Sequence, residues 1–370
     1  MTRARQRWLP ALLISLAMGM AVLFGAVQAG ASGSLPPKTA DEILAMIAST
    51  QVRELSGTVE QNAELGLPQI PTTGPGVAPG PVSALEFLTG SHTARVYVDG
   101  PSKARVQILD PMAERDLVLN GGDAWFYNSA DNSATHLSVP SPSAAGPNES
   151  RPSTLPRPDM PTPEAMASRF LAAIDASTEV SVADSATVAG RSAYRLLLNP
   201  RSADTLVESV VIDVDSETGF PLGVEVRAKG QAEPAYTLAY TQLDLSTPDA
   251  SLFEFTPPAG STVTEQAIPA MPVATKELPA PGVHAAKTDH GASVTGKRWD
   301  AVIALPAGAA PAGLTSNPQL SQALQPVTGG HALTTSLLSV LILDDGRVYA
   351  GMVPLDRLQS AALQPISPAQ

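Results

Sequence analysis

The 370-residue chain contains no cysteine. Disulfides therefore contribute nothing, no thiolate can serve as nucleophile or metal ligand, and no N-terminal cysteine can carry a lipid. Histidine is scarce. His92, His136, His284, His290 and His331 are the whole set, and none forms an i, i+4 pair around a glutamate. A metal site needs three or four convergent ligands, usually two of them at short spacing, so these read as surface histidines. The chain also lacks a Gly-x-Ser-x-Gly elbow and a glycine-rich phosphate loop at a strand-to-helix junction. Pairs such as Asp213 and Asp215, or Asp344 and Asp345, sit at or beside turn signals. Asp is favoured there for its own turn-forming hydrogen bonds, so no pair stands out as acid and base. The expectation is a protein that is not an enzyme and needs no cofactor or metal. Basic residues are outnumbered: the formal charge is −12, and loss of residues 1–29, with three arginines and no acid, leaves −15. That balance disfavours nucleic acid, whose phosphates demand a basic face.

The N-terminus reads as a signal peptide. Arg3, Arg5 and Arg7 precede Leu9–Val27, which is apolar apart from Pro10, Ser15 and two glycines, and Val27-Gln28-Ala29 offers a cleavage site. The run is also about long enough to span a bilayer, so cleavage and an uncleaved anchor both stand. Either way the rest lies outside the cytoplasmic membrane. The length suits two domains.

Thr39-Ala40-Asp41-Glu42 is a capping box ahead of an apolar stripe, Ile43, Leu44, Met46 and Ile47, and predicts a first helix to about Ser49. Strand signals follow at Leu55–Leu65, His92–Asp99, Lys103–Leu109, Glu114–Asn120, Asp123–Asn128 and Thr135–Val139. Pro101-Ser102 and Gly121-Gly122 supply tight turns, and the short spacing predicts an antiparallel meander. Gly66–Pro81 reads as a loop. Pro140–Pro163 holds eight prolines and excludes both strand and helix interior. Thr162 and Pro163 then open a second helix with Met166, Phe170, Leu171 and Ile174 on its apolar side. A second strand set covers Glu179–Val182, Ala186–Ala189, Ser192–Leu198, Leu206–Val214, Leu222–Ala228 and Ala235–Leu245, with Asp215–Gly219 as a hairpin turn. From Ser261 to Gly296 the composition shifts to Pro, Ala, Thr and Gly, the mark of a linker. Beyond it come a strand at Trp299–Leu305, a short helix at Pro318–Leu324, a hairpin of Ala332–Leu343 with Arg347–Val353 turning at Asp344-Asp345-Gly346, and a closing helix at Pro354–Leu363.

Aromatics make up only 4% of the residues, yet two segments concentrate them: Asp123-Ala-Trp125-Phe126-Tyr127-Asn128 and Phe253-Glu-Phe255-Thr-Pro-Pro-Ala-Gly260. In this order, behind a secretion signal, they resemble the LolA-like family of periplasmic lipid and lipoprotein carriers. That family has an aromatic strand of the form G-x-x-W-x-Y after a turn and a terminal F-x-F-x-P-P-x-G. The resemblance covers about residues 38–264. It implies an α+β fold in which helices cover an incomplete, strongly curved antiparallel β-barrel. The expected division is a signal peptide at 1–29, a LolA-like half-barrel domain at 38–264, a Pro/Ala-rich linker at 265–296 and a small α+β domain at 297–370. The presence of a second small domain resembles the RseB-like branch, in which a LolA-like sensor holds an anti-sigma factor.

The resemblance implies non-catalytic binding of an acylated ligand, a lipid or lipoprotein, in an apolar cavity. The RseB-like alternative is a partner that is the extracytoplasmic segment of a membrane-anchored regulatory protein. Alternation along the strands and the helix stripes nominate a lining of Ile43, Leu44, Ile47, Val96, Val98, Val106, Ile108, Leu117, Leu119, Trp125, Tyr127, Phe170 and Ile174. The same residues would serve equally well to fill a core. One departure stands out. Family carriers latch their helices with an arginine directly before the proline of a strand turn. The matching turn here is Val98-Asp99-Gly100-Pro101, with Gly100 in the arginine's place. Arg95 and Arg105 are nearby substitutes without being matches. On this reading no single polar bond sets a closed state, and gating rests on apolar contacts and the Pro140–Pro163 loop.

Overall fold

The computed structural model describes residues 35–67, 89–110, 113–138, 162–172, 174–267, 293–308 and 323–363. The signal segment, most of the 265–296 linker, nearly all of the Pro140–Pro163 loop and the Pro318–Leu324 helix expected from sequence, save its last two residues, lie outside them. Met1–Pro37 and Lys38–Gln370 separate as two units, and everything below belongs to the second. Among the described residues no helix is long and apolar enough to cross a membrane.

Helix α1 (Ala40–Ala48) forms where the capping box places it: the Thr39 hydroxyl accepts from the Glu42 N–H, and Glu42 accepts from the Thr39 N–H at 2.7 Å. The first meander then runs β1 (Glu54–Ala63), β2 (Gly90–Asp99), β3 (Lys103–Asp110), β4 (Ala113–Asn120), β5 (Asp123–Asn128) and β6 (Ser133–Ser138). Helix α2 (Pro163–Ala172) starts on the expected proline, with the Thr162 hydroxyl accepting from the Ala165 N–H. The second meander is β7 (Thr178–Val188), β8 (Arg191–Pro200), β9 (Val207–Asp215), β10 (Pro221–Ala228) and β11 (Tyr236–Asp244). The two strands expected at 179–189 are one, with a register irregularity between Ala183 and Ala186. A 3-10 turn (Ala250–Phe253) leads to β12 (Thr262–Ala267), which pairs in parallel with β6. The linker expected from Ser261 therefore begins with a strand.

These twelve strands form one sheet in the order β12-β6-β5-β4-β3-β2-β1-β11-β10-β9-β8-β7, with β12 and β7 as its open edges. A second sheet has six strands, β13 (Ser293–Thr295), β14 (Val302–Leu305), β15 (Gln325–Val327), β16 (Gly330–Thr334), β17 (Ser339–Leu343) and β18 (Val348–Gly351), in the order β13-β14-β18-β17-β16-β15. Helix α3 (Leu355–Ala362) covers one of its faces, burying Leu358 against Tyr349, Leu341 and Val302. Ala332–Leu343, expected as one strand, folds as the β16–β17 hairpin around Thr335, whose hydroxyl accepts from the Leu337 and Leu338 N–H groups. Trp299 lies in a 3-10 turn (Arg298–Asp300) rather than in the strand that follows.

The small sheet is bonded to the large one at several points. The Thr205 hydroxyl and the Leu206 N–H both donate to the Met352 carbonyl, at 2.9 and 2.8 Å. The Ser336 N–H donates to the Leu65 carbonyl, and Leu67 packs on Leu333, Val340 and Val348.

Candidate functional site: the two faces of the large sheet

Cross-strand partners share a face, so the register assigns every strand residue to one side or the other. One rung runs Tyr240, Val59, Ala94, Ile108 and Arg115, and the next runs through Gly57, Val96, Val106, Leu117 and Phe126. A third joins Leu55, Val98, Ala104, Leu119 and Ala124. Continued across β11, the same face carries Leu238, Val224, Ile212 and Leu196. It is almost wholly apolar, and Val96, Val106, Ile108 and Leu119 are 3–8% exposed. Val98, Leu117 and Phe126 are half-buried.

Both helices lie on this face. Helix α2 packs on β10 and β11, and its Glu164 accepts from the hydroxyl of Tyr240 at 3.2 Å. Burial, and then Glu164, push the Tyr240 phenol well above its usual range, so it stays a donor. The Tyr240 ring lies against Gly57: a Cβ there would sit 2.7 Å from two ring carbons, so only glycine fits. Helix α1 rests on β7 and β8, with Ile43 fully buried and Leu44 and Ile47 half-buried. Its end is fixed at Gly219, which has φ +71 and whose missing Cβ leaves room for the Met46 carbonyl.

The opposite face differs. Trp125 pairs with Val118 and Tyr127 with Asp116, so both aromatics point away from the helices and from Leu117 and Leu119. They are covered by the chain's own return. Phe255 lies 5.4 Å from Trp125 and 5.8 Å from Tyr127 between ring centroids, and Phe253 is 1% exposed. The two aromatic segments of the sequence thus pack on each other. His136 stacks on Trp125 at 4.2 Å, with its ring nitrogens 2.8 Å from Glu265 and 3.1 Å from Asp123, tying β12 to β6. Arg105 donates to both oxygens of Asp116 and to the Leu252 carbonyl, holding the 3-10 turn down. Burial pushes the Asp116 carboxyl up against the pull of Arg105. Farther along, Arg195 bridges Asp213 and Glu225 at 2.9 and 2.7 Å, and Asp213, likewise pushed up by burial, lies within a strand rather than at a turn. A shallow groove of about 320 Å³ and mixed character sits over the bulge where β1 meets β11, lined among others by Ser56, Thr58, Arg95, Gln242, Leu243 and Asp244.

The thirteen nominated residues therefore do not form one lining. Val96, Val98, Val106, Ile108, Leu117 and Leu119 make a continuous strip, and Phe126, which was not nominated, belongs with them. Ile43, Leu44 and Ile47 serve α1 on β7 and β8. Phe170 stacks on Trp299 at 6.1 Å, and Ile174 follows α2 in the turn toward β7. Trp125 and Tyr127 are on the other side. Neither substitute for the latch arginine is placed to act as one, since Arg95 and Arg105 share the opposite face. The arginine that does reach the helix face is Arg115, 7% exposed and paired with Asp110 at 2.9 and 3.1 Å. Its signal was a charge in the inward phase of an alternating strand. The expectation concerned a single polar bond that sets a closed state; α2 itself carries two polar bonds. Tyr240 binds the first turn of α2, and Arg298 donates to the Ala172 carbonyl at its end. Among the described residues no three His, Asp or Glu side chains are grouped to hold a metal ion.

The chain resembles MucB and LolA-superfamily proteins in structure. A structure of the Pseudomonas aeruginosa MucA/MucB complex matches at 16% identity with a TM-score of 0.45, covering 90% of this chain and 99% of that one. A LolA superfamily protein from Nitrosomonas europaea matches at 12% identity and TM-score 0.22, covering 59% and 99%. A putative outer membrane lipoprotein-sorting protein domain from Vibrio parahaemolyticus matches at 10% and 0.20, covering 56% and 91%. No protein-family model matches the chain, and no curated protein does. At such identities, and with TM-scores below 0.5, these likenesses assign neither a ligand nor a partner.

Proposed function

We propose that this chain is a non-catalytic binding protein acting outside the cytoplasmic membrane, and that the apolar strip on β2–β5 receives the acyl part of a lipid or lipoprotein. The observation that carries this reading is the register. It lines up Val96, Val98, Val106, Ile108, Leu117, Leu119 and Phe126 on the face that both helices occupy farther along the sheet. An acyl chain leaving a bilayer loses roughly 0.8 kcal/mol per CH₂ unless another apolar surface takes it up. A strip four strands wide and up to two side chains deep accommodates roughly ten CH₂ groups, an interaction on the order of 8 kcal/mol. The functional units on this reading are the domains expected at 38–264 and 297–370, with β12 carrying the first on to Ala267 and β13 starting the second at Ser293. The test is binding of 11-(dansylamino)undecanoic acid, a fluorescent fatty acid, to wild type and to Leu119→Glu. Loss of uptake in a folded Leu119→Glu protein supports the strip, and unchanged binding counts against it.

A second reading, a regulator that holds the extracytoplasmic segment of a membrane protein, is favoured by the small sheet. Its bonds to the end of α2 and to the loop before β9 give a second module purchase on the first. Native mass spectrometry of protein purified from membranes separates the two, with bound lipid for the first and a stoichiometric polypeptide for the second.

A further inference from the structure

Two consecutive residues of the small-sheet module bind the junction between α2 and β7 at Ala172, Asp175 and Thr178. Arg298 Nη1 donates to the Ala172 carbonyl at 2.6 Å, satisfying an end carbonyl of α2 that has no partner within the helix. The Arg298 Nε lies 3.3 Å from Asp175, whose carboxylate also accepts from the Ser177 N–H and hydroxyl. Trp299 is 3% exposed: its indole N–H donates to the Thr178 hydroxyl at 2.8 Å, at the first residue of β7, and its ring stacks on Phe170 of α2. The turn that presents this pair is built with unusual backbone. Arg298 has φ +55, a left-handed conformation uncommon outside glycine, and Gly296 has φ +84 with no room for a Cβ beside the Asp300 carbonyl. Such conformations persist where the surroundings over-determine them and cluster at clamps and switches.

We propose that the Arg298–Trp299 turn is a catch through which the small sheet holds α2 down on β10 and β11. Releasing it frees the C-terminal half of the helix while Tyr240 still anchors the N-terminal half, so α2 swings rather than detaches. This inference rests on the binding function proposed above only for its consequence, which is that the catch sets how fast an acyl ligand reaches the strip. Arg298 and Trp299 are positioning residues and touch no ligand.

The test uses the full chain and three variants: Arg298→Ala, Trp299→Phe and Thr178→Val. Hydrogen exchange without any ligand is followed in α2 and, for reference, in β8 and β9. The expected result for Arg298→Ala is about tenfold faster exchange at residues 167–172, the equivalent of about 1.4 kcal/mol, with β8 and β9 unchanged. Trp299→Phe keeps the stacked ring and loses only the bond to Thr178, so it and Thr178→Val are expected to give the same smaller rise. Association of the dansyl fatty acid is expected to quicken in Arg298→Ala, which a merely structural residue would not cause. Exchange at 167–172 equal to wild type overturns the catch, as does an equal rise throughout β8 and β9. If Arg298→Ala does not fold, the two milder variants decide by the same criterion. If wild type binds no fatty acid, the ligand reading falls and the exchange data still judge the catch.

Discussion

Replacing Trp125 with alanine is expected to damage stability and spare ligand uptake, while replacing Leu117 with glutamine does the reverse. The two residues lie one rung apart on adjacent strands and on opposite faces of the sheet. Full truncation of a buried tryptophan costs about 3–5 kcal/mol. Trp125 is half-buried but loses its stack on His136 and its contact with Phe255, so about 2 kcal/mol is expected. That loss is read as a lower urea midpoint at unchanged slope. Binding of the dansyl fatty acid should stay within about threefold, because no atom of the helix face has changed. Leu117 is half-buried in the middle of the strip. A glutamine there can reach solvent with its amide, so the stability cost stays near 1 kcal/mol. An acyl chain laid over that amide would strip it of water, and at least about tenfold weaker binding is expected. The reasoning is refuted if Trp125→Ala abolishes binding at wild-type stability, or if Leu117→Gln binds as wild type does.

Tyr240→Phe keeps the buried ring and removes the bond to Glu164. It should cost about 1–2 kcal/mol, and a double-mutant cycle with Glu164→Gln should show strong non-additivity. Asp215→Asn should cost about 2–3 kcal/mol at neutral pH. Burial pulls the Asp215 carboxyl up, but the bonds from Arg191 and Thr218 outweigh it and leave the group below its usual range. A depressed carboxyl contributes its full stability above the unfolded value near pH 4 and loses it as pH falls through the folded value, so the gap between wild type and variant should close below about pH 4 in acid titrations of stability. Limited proteolysis between Thr264 and Gly296 should yield two fragments that co-elute on gel filtration, held by Trp299, Met352 and Ser336. Separate elution would show those bonds to be insufficient.

Much of the large sheet was legible because its cues are local. The Thr39–Glu42 capping box, the proline opening α2 and the glycine turns each act within a few residues, and each stands where the sequence places it. The nominated lining divides between two faces for a reason that was itself legible. Alternation fixes phase within a strand, but the turn fixes phase between strands. The two-residue Gly121-Gly122 loop pairs Asn120 with Asp123, so odd positions of β4 share a face with even positions of β5. Leu117 therefore sides with Phe126 and not with Trp125. The three-residue loop between β2 and β3 pairs Asp99 with Lys103 and preserves parity, which is why Val96 and Val106 were placed together correctly. Long-range features carried no such signal. Nothing near Thr262 announces a parallel partner 129 residues earlier in Ser133, and nothing near Arg298 announces Ala172.

The position of β1 has a consequence for assembly. Five strands extend from it on one side in chain order, while on the other its neighbour is β11, and Ser56 finds Asp244. Each meander can zip through successive hairpins at little loop-closure entropy, but the ladder that fuses them must wait for almost all of the large sheet's chain to be present. Until then both flanks of this first-made strand cannot be satisfied, and its free edge is an open template for a neighbouring chain. The extra residue of that seam lies in β11, where Thr241 falls between the partners of Thr58 and Val59, while β1 keeps an unbroken register with β2. The strand that arrives last thus carries the irregularity, and the strand that waits for it is regular.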